Sequence, residues 1–264
     1  MDVGLKELIK THFEELTKDY SNFRLTFLSN DAVVTGCFEL SVQDGQESII
    51  HECYISIYIS ADYPEELPVV REFGGLISCD FHTNPNGALC LGVIPDIWLC
   101  LDGQLTLSRF VKKCVAPFFY SALQKEKFGK VVQGERSHGT KGIQEFFEEY
   151  FSCKDQHLLR VLYATRYNLP KTRTVYPCGS NQTYKLCCKD KIERLLRCCP
   201  PDVKSDIDLL IKKLTFERRI IIYGFYGSVR QAMLAELPKP EIQLTYNVSR
   251  NKIKPNSKES PARY

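Results

Sequence analysis

Hydrophobic residues recur first at helical and then at alternating spacing along the N-terminal part of the chain. A helical repeat predicts a helix over residues 2–16, with Asp2 as its N-cap. Alternating and β-branched residues then predict four strands, over residues 23–27, 33–42, 53–60 and 69–73. Prolines at 64 and 68 interrupt the pattern before the last strand.

The third predicted strand shows the clearest two-faced pattern. One face carries Ile55, Ile57 and Ile59, and the other carries Tyr54, Ser56 and Tyr58. Such alternation is typical of an antiparallel meander that is covered on one side only. The preceding helix is the natural cover, so the pattern predicts an α+β fold.

Helical spacing returns after the meander. We expect a helix that begins at the N-cap Thr106 and runs to Leu123, with a kink at Pro117. A second amphipathic helix is predicted around residues 143–151. The periodicity stops at residues 166–173, where we place a linker.

The C-terminal part is less regular. Pro200 and Pro201 mark a break, which is followed by a predicted helix over residues 207–214 and by strand-like runs at 220–223 and 242–246. We predict four regions: an N-terminal domain at 1–152, a linker with a Cys-rich motif at 153–200, a small α/β segment at 201–249 and a basic mobile tail at 250–264.

Composition narrows the classes of function. The net charge is +3, from 35 basic and 32 acidic residues, which disfavours nucleic acid as a partner. No apolar run is long enough to span a membrane, and the charged N-terminus is not typical of a signal peptide. Twelve cysteines without an export signal predict reduced thiols and a cytoplasmic location.

One cysteine lies in a loop with the residue types of a reactive site. His82, Asn84 and Asn86 precede Cys90, and Pro85 and Gly87 favour a loop that presents this cysteine. An acyl-carrier thiol needs exposure and donors near its thioester oxygen. Asn84 is a candidate oxyanion donor, and His82 a candidate anchor of the loop. The alternatives are an ordinary buried cysteine or the nucleophile of a cysteine protease.

The order of these residues resembles the active-site segment of ubiquitin-conjugating (carrier) enzymes over roughly residues 1–152. The matching features are the run from Asn86 to Leu91 with Cys90 inside it, Trp98, and Leu105–Leu107 at the start of a helix. Thr83 stands where that family has proline, and the loop is about two residues shorter.

The resemblance implies a ubiquitin-conjugating-like fold and an acyl transferase that works through a cysteine thioester without a catalytic cofactor. Its implied partners are a ubiquitin-activating-like enzyme, a protein cargo and an acceptor lysine or other amine. The segment Gly134–Gly139 resembles bacterial relatives from CBASS anti-phage systems, so the implied cargo is a ubiquitin-like protein or a cGAS-like nucleotidyltransferase. In this segment His138 either approaches Cys90 or caps the following helix.

A second cysteine group lies near the C-terminus. Cys178, Cys187 and Cys188, with their flanking residues, resemble the SEC-C zinc-binding motif, and Tyr176 stands where the motif has its first cysteine. The resemblance implies a structural zinc whose fourth ligand comes from outside the motif. The candidates are Cys153, His157, Cys198 and Cys199.

The alternative for the whole chain is a non-catalytic scaffold or binding module with the same fold.

Overall fold

The computed structural model describes residues 1–44, 47–78, 81–129, 136–167, 171, 173, 175–199 and 202–218. The predicted strands at 220–223 and 242–246 and the predicted tail at 250–264 lie outside the described residues. Helix α1, Val3–Asp19, confirms the first predicted helix. Asp2 caps it, because its carboxylate accepts from the backbone N–H of Gly4 at 3.0 Å and of Leu5 at 3.3 Å.

Four antiparallel strands follow in the order of the sequence. They are β1 (Phe23–Phe27), β2 (Ala32–Asp44), β3 (Glu47–Ile59) and β4 (Val69–Glu72), and neighbours in sequence are neighbours in the sheet. The three isoleucines Ile55, Ile57 and Ile59 are fully buried, whereas Tyr54 and Tyr58 are exposed on the outer face. Ser56 is buried, against its predicted position on the exposed face.

Most of the helices that cover the sheet follow the Cys90 loop in the chain. They are α2 (Ile94–Cys100), α3 (Leu107–Phe110), a π-helical turn (Val111–Val115) and α4 (Ala116–Phe128). Together with α1 they bury the inner face of the sheet in one hydrophobic cluster. The mixture of helices with an antiparallel sheet confirms the α+β class.

The expected break at Pro117 takes the form of the π-helical turn just before it. Proline has no N–H to donate to the carbonyl of Lys113, four residues back. The Cys100 thiol donates to that carbonyl instead, with Sγ 3.6 Å from the oxygen. Thr106 is the N-cap of α3, as predicted, and its hydroxyl accepts from Arg109 N at 3.3 Å.

A second hydrophobic cluster is built mainly from the later helices. These are α5 (Gly139–Phe151), α6 (Asp155–Tyr167), α7 (Tyr184–Cys187), α8 (Lys189–Cys198) and α9 (Asp202–Arg218). Helices α5 and α9 confirm the predicted helices, and α6 ends where the linker was expected to begin.

Residues 1–218 form one compact unit. Within it α5 contributes Phe146, Phe147 and Phe151 to the second cluster rather than to the core of the sheet. The boundary at residue 152 stays a prediction. Among the described residues no helix is both long and apolar enough to cross a bilayer.

Candidate functional site

The Cys90 loop is a tight hairpin. Cys90 N donates to His82 O at 2.6 Å, and the peptide N–H of Asn84 donates to Ala88 O at 2.8 Å. Gly87 closes the tip with a φ of +79°, and Asn86 Oδ1 accepts from Ala88 N at 3.0 Å. The hairpin therefore places His82 and Cys90 side by side at its base and leaves Asn84 at its exposed tip.

The base of the hairpin is fixed to the sheet. Leu89 N donates to Val70 O of β4 at 2.8 Å, and Leu89 itself is buried. The ring of Phe81 is buried and lies 5.4 Å from the ring of Phe118 in α4. His82 follows with a φ of +40°, a left-handed conformation that is uncommon for a residue with a β-carbon. Strained backbone of this kind concentrates at functional sites.

His138 completes a cluster with His82 and Cys90. The candidate ligand atoms of the three side chains all lie within 4.8 Å of one another, and the two imidazole rings are 4.9 Å apart. His138 occupies the N-cap position of α5, but its side chain makes no capping hydrogen bond. The His138 ring therefore lies beside Cys90 and does not cap the helix.

Ionic contacts hold the segment that carries His138. Arg136 Nε is 3.3 Å from the Asp96 carboxylate in α2, and Arg136 Nη1 is 2.8 Å from the Glu149 carboxylate in α5. The Ser137 N–H and hydroxyl both donate to Glu145 at 2.8 Å and keep the pKa of that carboxyl below its ordinary value. No sequence pattern predicts these contacts, because Glu145 lies too far into α5 for a standard capping pattern.

A pocket of about 480 Å³ opens beside the cluster. Its walls include His82, Cys90 and His138 together with the thiols of Cys100 and Cys114. Burial raises the pKa of Cys114 to about 12, so that thiol stays protonated at neutral pH. Cys90 is instead partly exposed and beside two imidazoles, an arrangement suited to nucleophilic catalysis or to metal binding.

The C-terminal cysteines form a second cluster that could hold a metal ion. Cys187 Sγ lies 3.4 Å from Cys178 Sγ and 3.3 Å from Cys188 Sγ, and the three sulfurs are all within 4.8 Å of one another. The Ser180 hydroxyl lies 3.1 Å from Cys178 Sγ and 3.2 Å from Cys187 Sγ.

The three thiols do not share one environment. Burial raises the pKa of Cys178, but hydrogen bonds with Ser180 and the neighbouring thiols outweigh this effect, so the pKa lies below its ordinary value. Burial is the main reason that the pKa of Cys188 is strongly raised. A bound cation would favour the thiolate form of both.

The four candidates for an additional ligand fall into two places. Cys198 Sγ is 3.5 Å from the Asp102 carboxylate and Cys199 Sγ is 3.8 Å from Pro95 O, both near α2. His157 lies beside the segment 176–188, here called the cysteine loop, with Nδ1 3.0 Å from Pro177 O. Cys153 is buried, which raises its pKa to about 12, and among its neighbours Cys178 adds most to this increase.

No protein-family model, no curated protein and no solved structure matches the chain. Function is therefore inferred from the two side-chain clusters themselves. The first combines a partly exposed thiol with two imidazoles at a pocket, and the second combines three thiols with a nearby histidine.

Proposed function

We propose that this chain is a carrier enzyme that holds a protein cargo as a thioester on Cys90 and transfers it to an amine. The observation that carries the proposal is the cluster of His82, Cys90 and His138 within 4.8 Å at the wall of a pocket. A carrier thiol must be reachable by two macromolecules in turn, and Cys90 sits at the base of an exposed hairpin.

The proposed reaction has two exchanges of the same acyl group. The Cys90 thiolate attacks the cargo thioester on an activating enzyme, the new C–S bond forms, and the activating enzyme's thiolate leaves. An amine then attacks the Cys90 thioester, an amide bond forms, and the C–S bond to Cys90 breaks. His138 accepts the proton that the amine loses, His82 orients the base of the hairpin, and Asn84 supports the oxyanion if the hairpin tip closes.

The resemblance to ubiquitin-conjugating enzymes supplies the proposed setting. The N-terminal helix, the four-stranded meander and the Cys-containing hairpin after it agree with that fold. The proposed partners are a ubiquitin-activating-like enzyme, a ubiquitin-like protein or cGAS-like nucleotidyltransferase as cargo, and a lysine or other amine as acceptor. The proposed place of action is the bacterial cytoplasm during anti-phage defence.

We also propose a structural zinc on Cys178, Cys187 and Cys188. Zinc–sulfur bonds of about 2.3 Å in tetrahedral geometry separate the sulfurs by roughly 3.8 Å. The sulfurs of Cys187 and its two neighbours are 3.3 and 3.4 Å apart, so small movements would fit them to the ion. The ion would supply no catalytic chemistry and would tie the cysteine loop to the second hydrophobic cluster.

The carrier proposal is tested by trapping the thioester. The full chain is incubated with an activating enzyme, ATP and candidate cargo, and the products are separated with and without reducing agent. Wild type is expected to give an adduct that reducing agent removes, and Cys90→Ser an adduct that resists it. Cys100→Ala is the matched control, because Cys100 lines the same pocket. A reducible adduct that persists in Cys90→Ala would refute the assignment.

The two imidazoles beside Cys90 also favour a second candidate, a cysteine hydrolase. Single-turnover discharge of the trapped adduct separates the two activities. For a carrier the rate rises with lysine concentration and the product is an amide, whereas for a hydrolase the rate is independent of lysine and the free acid appears. His138→Gln is expected to slow amine discharge by about 100-fold while thioester formation continues. A chain that forms no adduct with any cargo would support the scaffold alternative.

A further inference from the structure

We infer that His157 is the fourth ligand of the C-terminal metal site, which makes the site three thiolates and one imidazole. The inference rests on the proposed zinc at Cys178, Cys187 and Cys188, and it is independent of the carrier chemistry at Cys90. His157 lies on α6, outside the cysteine loop, so the metal would link that helix to the loop.

Distance excludes two of the four candidates. Cys198 is ten residues beyond Cys188 along α8, which corresponds to about 15 Å at 1.5 Å per residue. Its thiol contacts Asp102, and the thiol of Cys199 contacts the carbonyl of Pro95. Neither sulfur can reach the loop while α8 stays intact. Cys153 and His157 remain.

One face of α6 packs against Tyr176, which precedes the cysteines in the chain. His157, Val161 and Thr165 are spaced by four residues and so share that face. The Tyr176 hydroxyl donates to Val161 O at 3.4 Å and is 3.5 Å from the Thr165 hydroxyl. Tyr176 is fully buried, so it serves as a core residue at the position of the motif's first cysteine. The surface on which Tyr176 packs therefore lies next to the position of the missing ligand.

His157 stands on that surface next to the cysteines. Its Nδ1 is 3.0 Å from the carbonyl of Pro177, the residue before Cys178. Its ring atoms lie 3.1–3.2 Å from the position a β-carbon would take at Gly179, the residue after Cys178. Only glycine leaves room for the ring there, and Gly179 also has a φ of +89°.

The hydrogen bond to Pro177 also sets the tautomer of His157. A carbonyl oxygen only accepts, so in the neutral ring Nδ1 carries the proton and Nε2 has the lone pair. Zinc-bound histidines commonly donate their second ring N–H to a backbone carbonyl in this way. The neutral imidazole is therefore already the tautomer that a metal binds, and its contacts with the residues on both sides of Cys178 favour His157 over Cys153.

Metal content and affinity test the inference. All chains carry Cys90→Ala, which removes the thiol of the other cluster that could hold an ion. The parent chain, purified without chelator, is expected to contain one zinc per chain by elemental analysis. His157→Ala is expected to weaken zinc binding, measured by competition with a chelator, by more than the roughly 10- to 100-fold loss that an outer-shell change produces. Ser180→Ala supplies that outer-shell reference, since its hydroxyl touches two of the sulfurs.

Cobalt spectra distinguish a lost ligand from a damaged fold. His157→Cys should restore tight binding and shift the visible Co²⁺ bands from those of three sulfurs and one nitrogen toward those of four sulfurs. Cys153→Ser should leave both the affinity and the spectrum unchanged. Zinc that is kept in His157→Ala and lost in Cys153→Ser would overturn the assignment of His157. A parent chain without zinc would overturn the proposed metal site itself. The thioester assay uses chains that keep Cys90, so neither result bears on the carrier proposal.

Discussion

Burial gives chemically identical cysteines different properties in this chain. Cys53 and Cys114 lie in the core of the sheet, where burial raises the pKa of each thiol to about 12. Cys90 is partly exposed beside two imidazoles, and Cys178 is held by Ser180 with its pKa below the ordinary value. The core thiols behave as small apolar side chains, whereas Cys90 and Cys178 lie where polar groups reach them.

Cys53 should make the stability of the chain depend on alkaline pH. Its pKa rises from 9.0 in an unexceptional environment to about 12 in the folded chain. Above pH 9 the unfolded chain loses this proton and the folded chain keeps it, so the unfolded state is favoured. The free energy of unfolding should therefore fall between pH 9 and 12, by up to about 1.4 kcal/mol per pH unit for this thiol.

Urea unfolding of reduced wild type and Cys53→Ala at several pH values tests this dependence. The variant should show a shallower loss of stability between pH 9 and 12, and the same pH slope as wild type between pH 6 and 8. Parallel slopes across the alkaline range would show that the core thiol does not control this titration. The comparison uses slopes because removing a buried side chain also lowers stability at every pH.

The residues of the Cys90 cluster could be predicted only in part from the sequence. His82 and Cys90 lie eight residues apart in a Gly- and Asn-containing loop, and turn chemistry is a local property. His138 required a resemblance to be singled out, since 47 intervening residues separate it from Cys90 and no local pattern encodes their meeting. Arg136 and Glu145, which hold its segment, could not be identified because their contacts depend on how α5 packs.

At the scale of elements, the start of α5 positions the imidazole at the pocket. Gly142 allows this, because a β-carbon there would lie 1.8 Å from the backbone oxygen of Ser137. The helix therefore passes directly over the segment that carries His138. Glu145, one turn further along, accepts both hydrogen bonds from Ser137.

Gly142→Ala should displace His138 and slow the proposed amine discharge. The segment must move by more than 1 Å, and displacement of this size reduces catalysis on the order of 100-fold. Overpacking should lower the free energy of unfolding by about 1–3 kcal/mol. The higher helix propensity of alanine should offset about 1 kcal/mol of this loss. The measurements are single-turnover discharge and urea unfolding.

Gly4→Ala in α1 is the matched control, because its nearest new contact is an ordinary 3.6 Å. That variant should keep the wild-type discharge rate, and its free energy of unfolding should rise by up to about 1 kcal/mol. Discharge by Gly142→Ala at the wild-type rate would show that the position of His138 does not matter for the reaction.

The elements of the first part of the chain were predictable because alternation and helical spacing are strong there. Strand β1 has the predicted bounds, and α1 begins at its predicted cap. Helices α6 and α8 were not predicted, although α8 buries Ile192, Leu195 and Cys198 at helical spacing. We interpreted the cysteines near α8 as candidate metal ligands and not as core residues. Cysteine occurs both in hydrophobic cores and in polar clusters, so the residue type alone does not distinguish the two.

At the scale of the molecule, the two hydrophobic clusters meet where α8 packs on the turn after α2. Arg194 Nη2 donates to Leu99 O at 3.1 Å, and Arg194 Nε is 3.6 Å from the Asp102 carboxylate. Leu99 belongs to the second cluster although its neighbour Trp98 belongs to the first, and Cys199 packs against both. The C-terminal helices therefore brace the helix that lines one side of the Cys90 pocket.

Gly103 is a point of close approach between α8 and this turn. Its φ is +69°, and a β-carbon would lie 2.9 Å from Cys198 Cα. Gly129 has a similar φ of +63° with nothing within 4 Å of its β-carbon position. Alanine at either position strains the backbone by about 1–2 kcal/mol, but only Gly103→Ala also forces α8 away from α2, at a further cost of about 1–3 kcal/mol.

Because the clusters share this contact, Gly103→Ala should lower the urea midpoint of the whole unit in a single transition, whether followed by Trp98 fluorescence or by helical circular dichroism. A transition that splits, with the helical signal lost before Trp98 changes, would instead show that the second cluster unfolds independently of the sheet.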